Sequence, residues 1–318
     1  AGAGAGAGQG LACRGSVKYC RRRLPSRIGI VTTSWPADDG DPSGHFVRAE
    51  ARALERAGVE VVVLAPPAGG AFGWPGAAVR LKERPLRAVS AARWVGDAAF
   101  RARSLAVDRF LCHWAVPSAW PIAHLASAPI EVVSHGADVR LLAALPAPIR
   151  ERLVRTLARR CERWRFVSES LLAELLREVG SVTSSRVERV ATVQAPSIDL
   201  PDVASAVERL RAELGGRRTA VSVGRLVASK RVDRAIAHVA ASDAFDSLVV
   251  VGDGPERARL ERIAREKSRP TRFVGAVRRE EALAWIGAAD ALIHASTAEG
   301  LSTVVREAEA LGTRVVRV

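Results

Sequence analysis

The sequence predicts an α/β protein of two domains, each built on a parallel sheet. Short apolar runs rich in β-branched residues alternate with helix-patterned runs along most of the chain. Strands joined in this way by helices run parallel. The alternation stops at residues 195–201, where Pro196 and Pro201 interrupt it, and then starts again. A length of 318 residues suits two such domains.

Residues 1–10 are a Gly/Ala repeat and residues 11–23 are basic and irregular. Such a composition buries no core, so residues 1–26 are expected to be a disordered or non-native leader. Residues 27–33 read as a buried first strand. A loop rich in Asp, Pro and Gly covers 34–44, helical periodicity covers 46–57 and closes at Gly58, and 59–64 form a second strand. Residues 78–81 read as a strand, 89–105 as a helix, 109–114 as a strand, 119–126 as a helix and 130–134 as a strand. A basic helix is expected over 148–163, a short strand over 165–168, a helix over 169–179 and a last strand over 189–193.

The first loop contains Asp38-Asp39-Gly40-Asp41, which imitates a metal-binding Asp-x-Asp. These carboxylates precede Pro42-Ser43-Gly44, where Asp is ordinary turn chemistry, so no metal is expected. Gly44 stands before a helix start, where a missing side chain lets a ligand approach the backbone; a plain loop glycine reads equally well. Ligands of open α/β sheets sit beyond the carboxyl ends of strands. His113, His135 and Asp138 stand at such ends. A lone histidine there is more often structural, and that reading is kept for His113. His135, followed by Gly136 and Asp138, is read as functional.

Residues 27–200 make the first domain and 201–318 the second, with a connecting helix over 203–214. The strand at 220–223 runs into Gly224-Arg225-Leu226, and Lys230 follows in the same loop. Arg225 offers a planar fork of donors and Lys230 a movable point charge, and both can converge on a diphosphate. In so basic a chain they also read as surface charges. Strand 248–251 ends in Gly252-Asp253-Gly254-Pro255, a tight turn into a helix over 256–266. Strand 271–274, helix 280–286, strand 291–293 and strand 314–318 complete the pattern.

The stretch 295–311 holds Glu299 in a loop with Gly300, then a helix from Ser302 with Glu307 inside it. Ser302 and Thr303 suit a helix start, whose free N–H groups and dipole favour an anion. A carboxylate, an anion site and a second carboxylate match the sugar hydroxyls, diphosphate and ribose hydroxyls of a nucleotide sugar. Chance also supplies such a pair in a chain with 26% charged residues, as a loop Glu and an exposed helix Glu.

The net charge is +14. Nucleic acid, an anionic membrane surface or anionic substrates would each answer it, as would the Ala-, Arg- and Val-rich usage of a GC-rich bacterial gene. Zinc-finger spacing and aromatic-rich RNA-binding strands are lacking, so no nucleic acid is expected. The 4 cysteines form no ligand cluster and read as reduced thiols in a cytoplasmic protein. The chain has no methionine, even at position 1, and is expected to be a fragment or to begin upstream of the true start.

Taken together, Val223-Gly-Arg-Leu with Lys230, Val251-Gly-Asp-Gly-Pro, Phe273-Val-Gly, and Glu299-Gly with Glu307-Ala resemble family 4-type retaining glycosyltransferases, the group 1 glycosyltransferases. Gly44 before the first helix and His135-Gly-x-Asp138 extend the resemblance over 27–318. It implies a GT-B fold, two Rossmann-like domains facing across a cleft. It also implies a donor nucleotide sugar, a polysaccharide, lipid-linked or other glycan acceptor, retention of configuration and no cofactor or metal. Arg225 and Lys230 would hold the diphosphate and stabilise the leaving group, and Glu307 the ribose. Glu299 would bind the transferred sugar, with Gly300, Leu301, Ser302 and Thr303 presenting backbone N–H groups. His135 and Asp138 would stand near the sugar, Gly44 would line the cleft, and the backbone at Val277 would meet the base. A segment returning to the first domain would follow residue 318, so the second domain is expected to be incomplete. The basic helices at 87–103 and 150–163 are expected to favour an anionic lipid surface, where lipid-linked acceptors would be found as in many relatives, so peripheral contact with the inner membrane face is a further expectation. A GT-B nucleotide-sugar epimerase, or a non-catalytic nucleotide- or nucleic-acid-binding protein, are the competing readings.

Overall fold

The computed structural model describes residues 26–38, 41, 43–67, 70–72, 77–196, 198–296 and 301–318. The first sheet belongs to β1 (Arg27–Val31), α1 (His45–Arg56), β2 (Glu60–Leu64), α2 (Ala77–Glu83), α3 (Arg87–Ser104), β3 (Arg109–His113), α4 (Trp120–Leu125), β4 (Ile130–Ser134), α5 (Ala137–Ala143), α6 (Ala147–Arg160), β5 (Cys161–Phe166), α7 (Glu169–Arg177), α8 (Ser181–Val190) and β6 (Ala191–Val193). The second belongs to α9 (Ala204–Leu214), β7 (Thr219–Val223), α10 (Val232–Ala241), β8 (Ser247–Val251), α11 (Arg257–Arg265), β9 (Thr271–Gly275), α12 (Arg279–Ala288), β10 (Ala291–His294), α13 (Thr303–Ala310) and β11 (Arg314–Arg317).

Both sheets are parallel, as expected. The first has the order β2-β1-β3-β4-β5-β6 and the second β11-β10-β7-β8-β9. Each order reverses once, between β1 and β3 and between β10 and β7. At such a reversal neighbouring crossovers leave to opposite faces and open a crevice at the strand ends. The inner strands β1, β3, β4, β7, β8 and β10 are mostly buried on both faces. Ile30 and Val31 of β1 and Val132 of β4 are fully buried beneath helices. Trp164 of β5 is also inside, and its indole N–H donates to Ser134 Oγ at 2.9 Å, which satisfies the polar edge of that ring.

Three expectations fail locally. Residues 78–81 lie in helix α2, not in a strand. A run of a few apolar residues does not fix the period, and alanine favours a helix. The basic helix expected over 148–163 ends at Arg160, and β5 begins at Cys161. Exposed Glu162 and Arg163 on β5 continue the charged pattern of α6 and hide the change of period. The strand expected over 189–193 shrinks to β6, because Ser181–Val190 is helix α8. Its Ser, Thr and Val content is poor for a helix. Packing overrides that preference: Val187 and Thr183 are fully buried, Gly180 N donates to Glu151 Oε2 at 3.1 Å, and Thr183 Oγ1 donates to the same carboxylate.

Candidate functional site

A cavity of about 880 Å³ opens between the two sheets, at the carboxyl ends of their strands. On the second-sheet side its wall begins with the loop after β7. That loop is seated on the turn after β8. Leu226 N donates to Asp253 O at 2.9 Å and Glu256 N to Leu226 O at 3.0 Å. The backbones approach so closely that a Cβ on Gly252, where φ is +132°, would lie 1.9 Å from Gly224 O. The Gly252–Gly254 turn is therefore the seat of the cationic loop, and its glycines permit the contact.

Arg225 and Lys230 both line the cavity. Burial pushes Lys230 down to about 8, with the positive charges of Arg225 and Arg140 adding to the shift. Burial also lowers Arg225. Arg140 comes from α5 of the first-sheet side, so the cations converge from both walls. Cations crowded in this way bind an anion strongly, since its charge relieves their mutual repulsion.

Leu301, Ser302, Thr303 and Val304 form the next part of the wall, at the start of α13. Ser302 is extended at the N-cap, and among the described residues its side chain makes no capping bond, which leaves the first-turn N–H groups to a ligand. Glu307, one turn further on, is buried and lines the same cavity. Its Oε1 accepts from Arg279 Nη2 at 2.8 Å and lies 3.5 Å from His45 Nε2. Val277, after β9, also faces the cavity. Glu299 and Gly300 lie outside the described residues.

The first-sheet side contributes His45 and Phe46 from the start of α1 and His135 after β4. Gly44 is not on the wall. It caps α1 with φ +65°, and a Cβ there would meet Ser34 O at 2.2 Å, so the glycine is required by the backbone and brings His45 forward. Asp138 is likewise off the wall. It is buried beneath the loop and accepts from Ala115 N at 2.8 Å, Gly136 N at 3.1 Å and His135 N at 3.2 Å. Its carboxylate clamps the turn that presents His135, and burial raises its pKa. His135 itself is pushed well below the ordinary histidine range by burial and by His113 and Arg165.

Sequence reasoning missed His45, Arg140 and Arg279. Each stands beside a residue that was picked: His45 after Gly44, Arg140 two positions past Asp138, Arg279 two past Val277. Asp41 behaves as turn chemistry requires, accepting from Ser43 N at 2.7 Å and Ala37 N at 2.9 Å. Among the described residues no group of three or more His, Cys, Asp or Glu side chains is placed to hold a metal ion.

Residues 208–318 match the family described as Glycosyl transferases group 1, the resemblance expected from the motifs of the second domain. A 2-deoxystreptamine glucosyltransferase of Streptomyces kanamyceticus is 30% identical over 218 residues, which are 64% of this chain and 56% of that protein. The chain thus spans little more than half the length of that relative. Among solved structures, Alr3699/HepE of Anabaena in complex with UDP and glucose matches with a TM-score of 0.61 and 19% identity, over 92% of this chain and 80% of that one. Sucrose-phosphate synthase of Thermosynechococcus elongatus matches with a TM-score of 0.67 and 20% identity, over 92% and 81%. The fold these structures share with the chain is the GT-B fold.

Proposed function

We propose that this chain moves a sugar from a nucleotide-sugar donor to a polysaccharide, lipid-linked or other glycan acceptor, with retention of anomeric configuration. Residues 201–318 supply the donor side and residues 27–200 the acceptor side. The observation that carries the reading is the meeting of Arg225, Lys230 and the uncapped start of α13 on one cavity wall. As the sugar–phosphate bond breaks, the departing nucleoside diphosphate gains negative charge, and fixed cations with helix N–H groups stabilise it. Glu307 receives the ribose hydroxyls, Glu299 the transferred sugar, His135 a sugar hydroxyl from the opposite wall, and the backbone at Val277 the base. Arg279 orients the Glu307 carboxylate. These side chains supply the charge compensation without a metal, so turnover is expected to persist in chelator.

Calorimetry with a panel of nucleoside diphosphates and nucleotide sugars, followed by diphosphate release with and without glycan acceptors, tests the proposal. Acceptor-dependent release supports a transferase, and release or epimerisation without acceptor supports the epimerase. Salt-sensitive DNA binding without nucleotide binding overturns both.

A lipid surface fits one exposed stripe. Leu86, Val89 and Phe100 are 86%, 68% and 69% exposed, and their spacing puts them with Arg93 on one face of α3. Apolar side chains among arginines suit the headgroup region of an anionic membrane. No helix among the described residues is long and apolar enough to cross a membrane. We propose, from the exposed stripe on α3, peripheral contact with lipid at the cytoplasmic face.

A further inference from the structure

Behind His135 lies a buried polar chain that the reaction scheme above does not use. His113, at the end of β3, is fully buried, and its Nδ1 lies 3.0 Å from His135 Nε2. The two rings are 13° from parallel with centroids 5.2 Å apart. With so short a nitrogen contact, that separation means the rings meet edge to edge. Phe46 and Trp114 pack on His135 at centroid distances of 4.7 and 5.0 Å and limit its rotation.

A neutral imidazole has one N–H and one lone pair, so one of the two facing nitrogens must donate to the other. Burial keeps both rings neutral, and the Arg165 charge adds to this; His113 is pushed down to about 3. The choice between the two arrangements falls to the far side of His113. Its Nε2 makes no hydrogen bond among the described residues and faces Glu50 Oε2 at 3.7 Å. Glu50 is ion-paired with Arg165, whose Nη2 donates to Oε1 at 2.5 Å. Arg165 is anchored in turn on Glu131, with Nε 3.1 Å from Oε1. A carboxylate attracts an N–H and repels a lone pair, so the His113 proton belongs on Nε2 and its Nδ1 is the acceptor.

We propose that Glu50 and His113 are positioning residues that set the tautomer of His135. In that tautomer Nε2–H donates to His113, and Nδ1 is left as an acceptor for a sugar hydroxyl. The hydroxyl partner rests on the glycosyltransferase reading; the tautomer does not.

Long-range ¹H–¹⁵N spectra of the full chain with labelled histidine read the tautomer directly. The expected wild-type result is a pyrrole-type Nε2 and a pyridine-type Nδ1 at His135. Glu50→Gln and His113→Leu should each give a mixed tautomer, with His113→Gln, which keeps an acceptor, restoring it. Transfer should slow about fivefold in the first two, the loss of one neutral hydrogen bond, while affinity for free nucleoside diphosphate stays unchanged. A wild-type His135 protonated at Nδ1 overturns the proposal, and so does a tautomer unmoved in variants that melt cooperatively. Should the variants fail to fold, the wild-type spectrum alone decides. The expected tautomer in a protein that binds no nucleotide would sink the glycosyltransferase reading and leave this one standing.

Discussion

Nε2 of His45, the first residue of α1, lies 3.5 Å from Oε1 of Glu307 on α13. A helix of the first sheet thus touches, across the cleft, the carboxylate assigned to the ribose. The same oxygen accepts from Arg279 at 2.8 Å, so Glu307 is already ordered before a ligand arrives. Ordering in advance lowers the entropy lost on binding.

Glu307→Gln should raise the donor KM roughly tenfold with kcat nearly unchanged, because a ribose contact is the same in ground and transition states. His45→Ala should change KM less, by about threefold at most, since Arg279 still holds the carboxylate. Glu299→Gln should act mainly on kcat, through the sugar that develops charge. Steady-state kinetics with saturating acceptor separates these, and equal small effects at both glutamates would remove them from the site.

Arg225→Ala and Lys230→Ala should each weaken nucleoside diphosphate binding. A hydrogen bond to a charged group is worth about 1.5–3 kcal/mol, roughly ten- to hundredfold in affinity. Calorimetry showing wild-type affinity in both variants would rule out this wall as the diphosphate site.

Lys230 also gives the site a pH dependence. Its pKa is lowered from 10.5 to about 8 in the ligand-free protein, chiefly by burial and then by Arg225 and Arg140. Below about 8 the ammonium is present, and above it the site loses a cation, so diphosphate affinity should fall as pH rises through that value. A bound diphosphate raises the pKa again, so binding near this pH takes up a proton. Calorimetry in buffers of different ionisation enthalpy measures the uptake, which should vanish in Lys230→Gln.

The seat of the cationic loop can be tested at a position that touches no ligand. Gly252→Ala puts a methyl where Gly224 O stands, at a φ of +132°. Strain of this kind costs about 1–3 kcal/mol. The variant should melt lower and bind nucleoside diphosphate more weakly; unchanged binding at a lowered melting point would mean that the loop tolerates the shift.

For the membrane proposal, the chain should sediment with anionic vesicles and not with neutral ones at physiological salt. Leu86→Ser with Phe100→Ser should abolish this without changing nucleotide affinity. Equal sedimentation with both vesicle types would assign the charge to another role.

The sequence by itself determined the alternation of strands and helices, the two parallel sheets, and the cavity-lining positions of Arg225, Lys230, Ser302, Thr303, Glu307 and His135. All of these are local: period, turn residues and strand ends are written within a few neighbours. What only the tertiary structure decided are relations between distant segments. Asp138 left the site for the loop beneath it because Ala115 N, on another strand's turn, needed a buried acceptor. His45 and Arg279 joined Glu307 because three elements far apart in the chain end at the same cleft. His113 reads as a lone structural histidine until β3 and β4 pair and bring it against His135. Helix α8 formed against its own propensity because burying Val187 outweighed it. Local pattern specifies which elements form, and long-range packing and the satisfaction of buried polar groups specify which side chains meet.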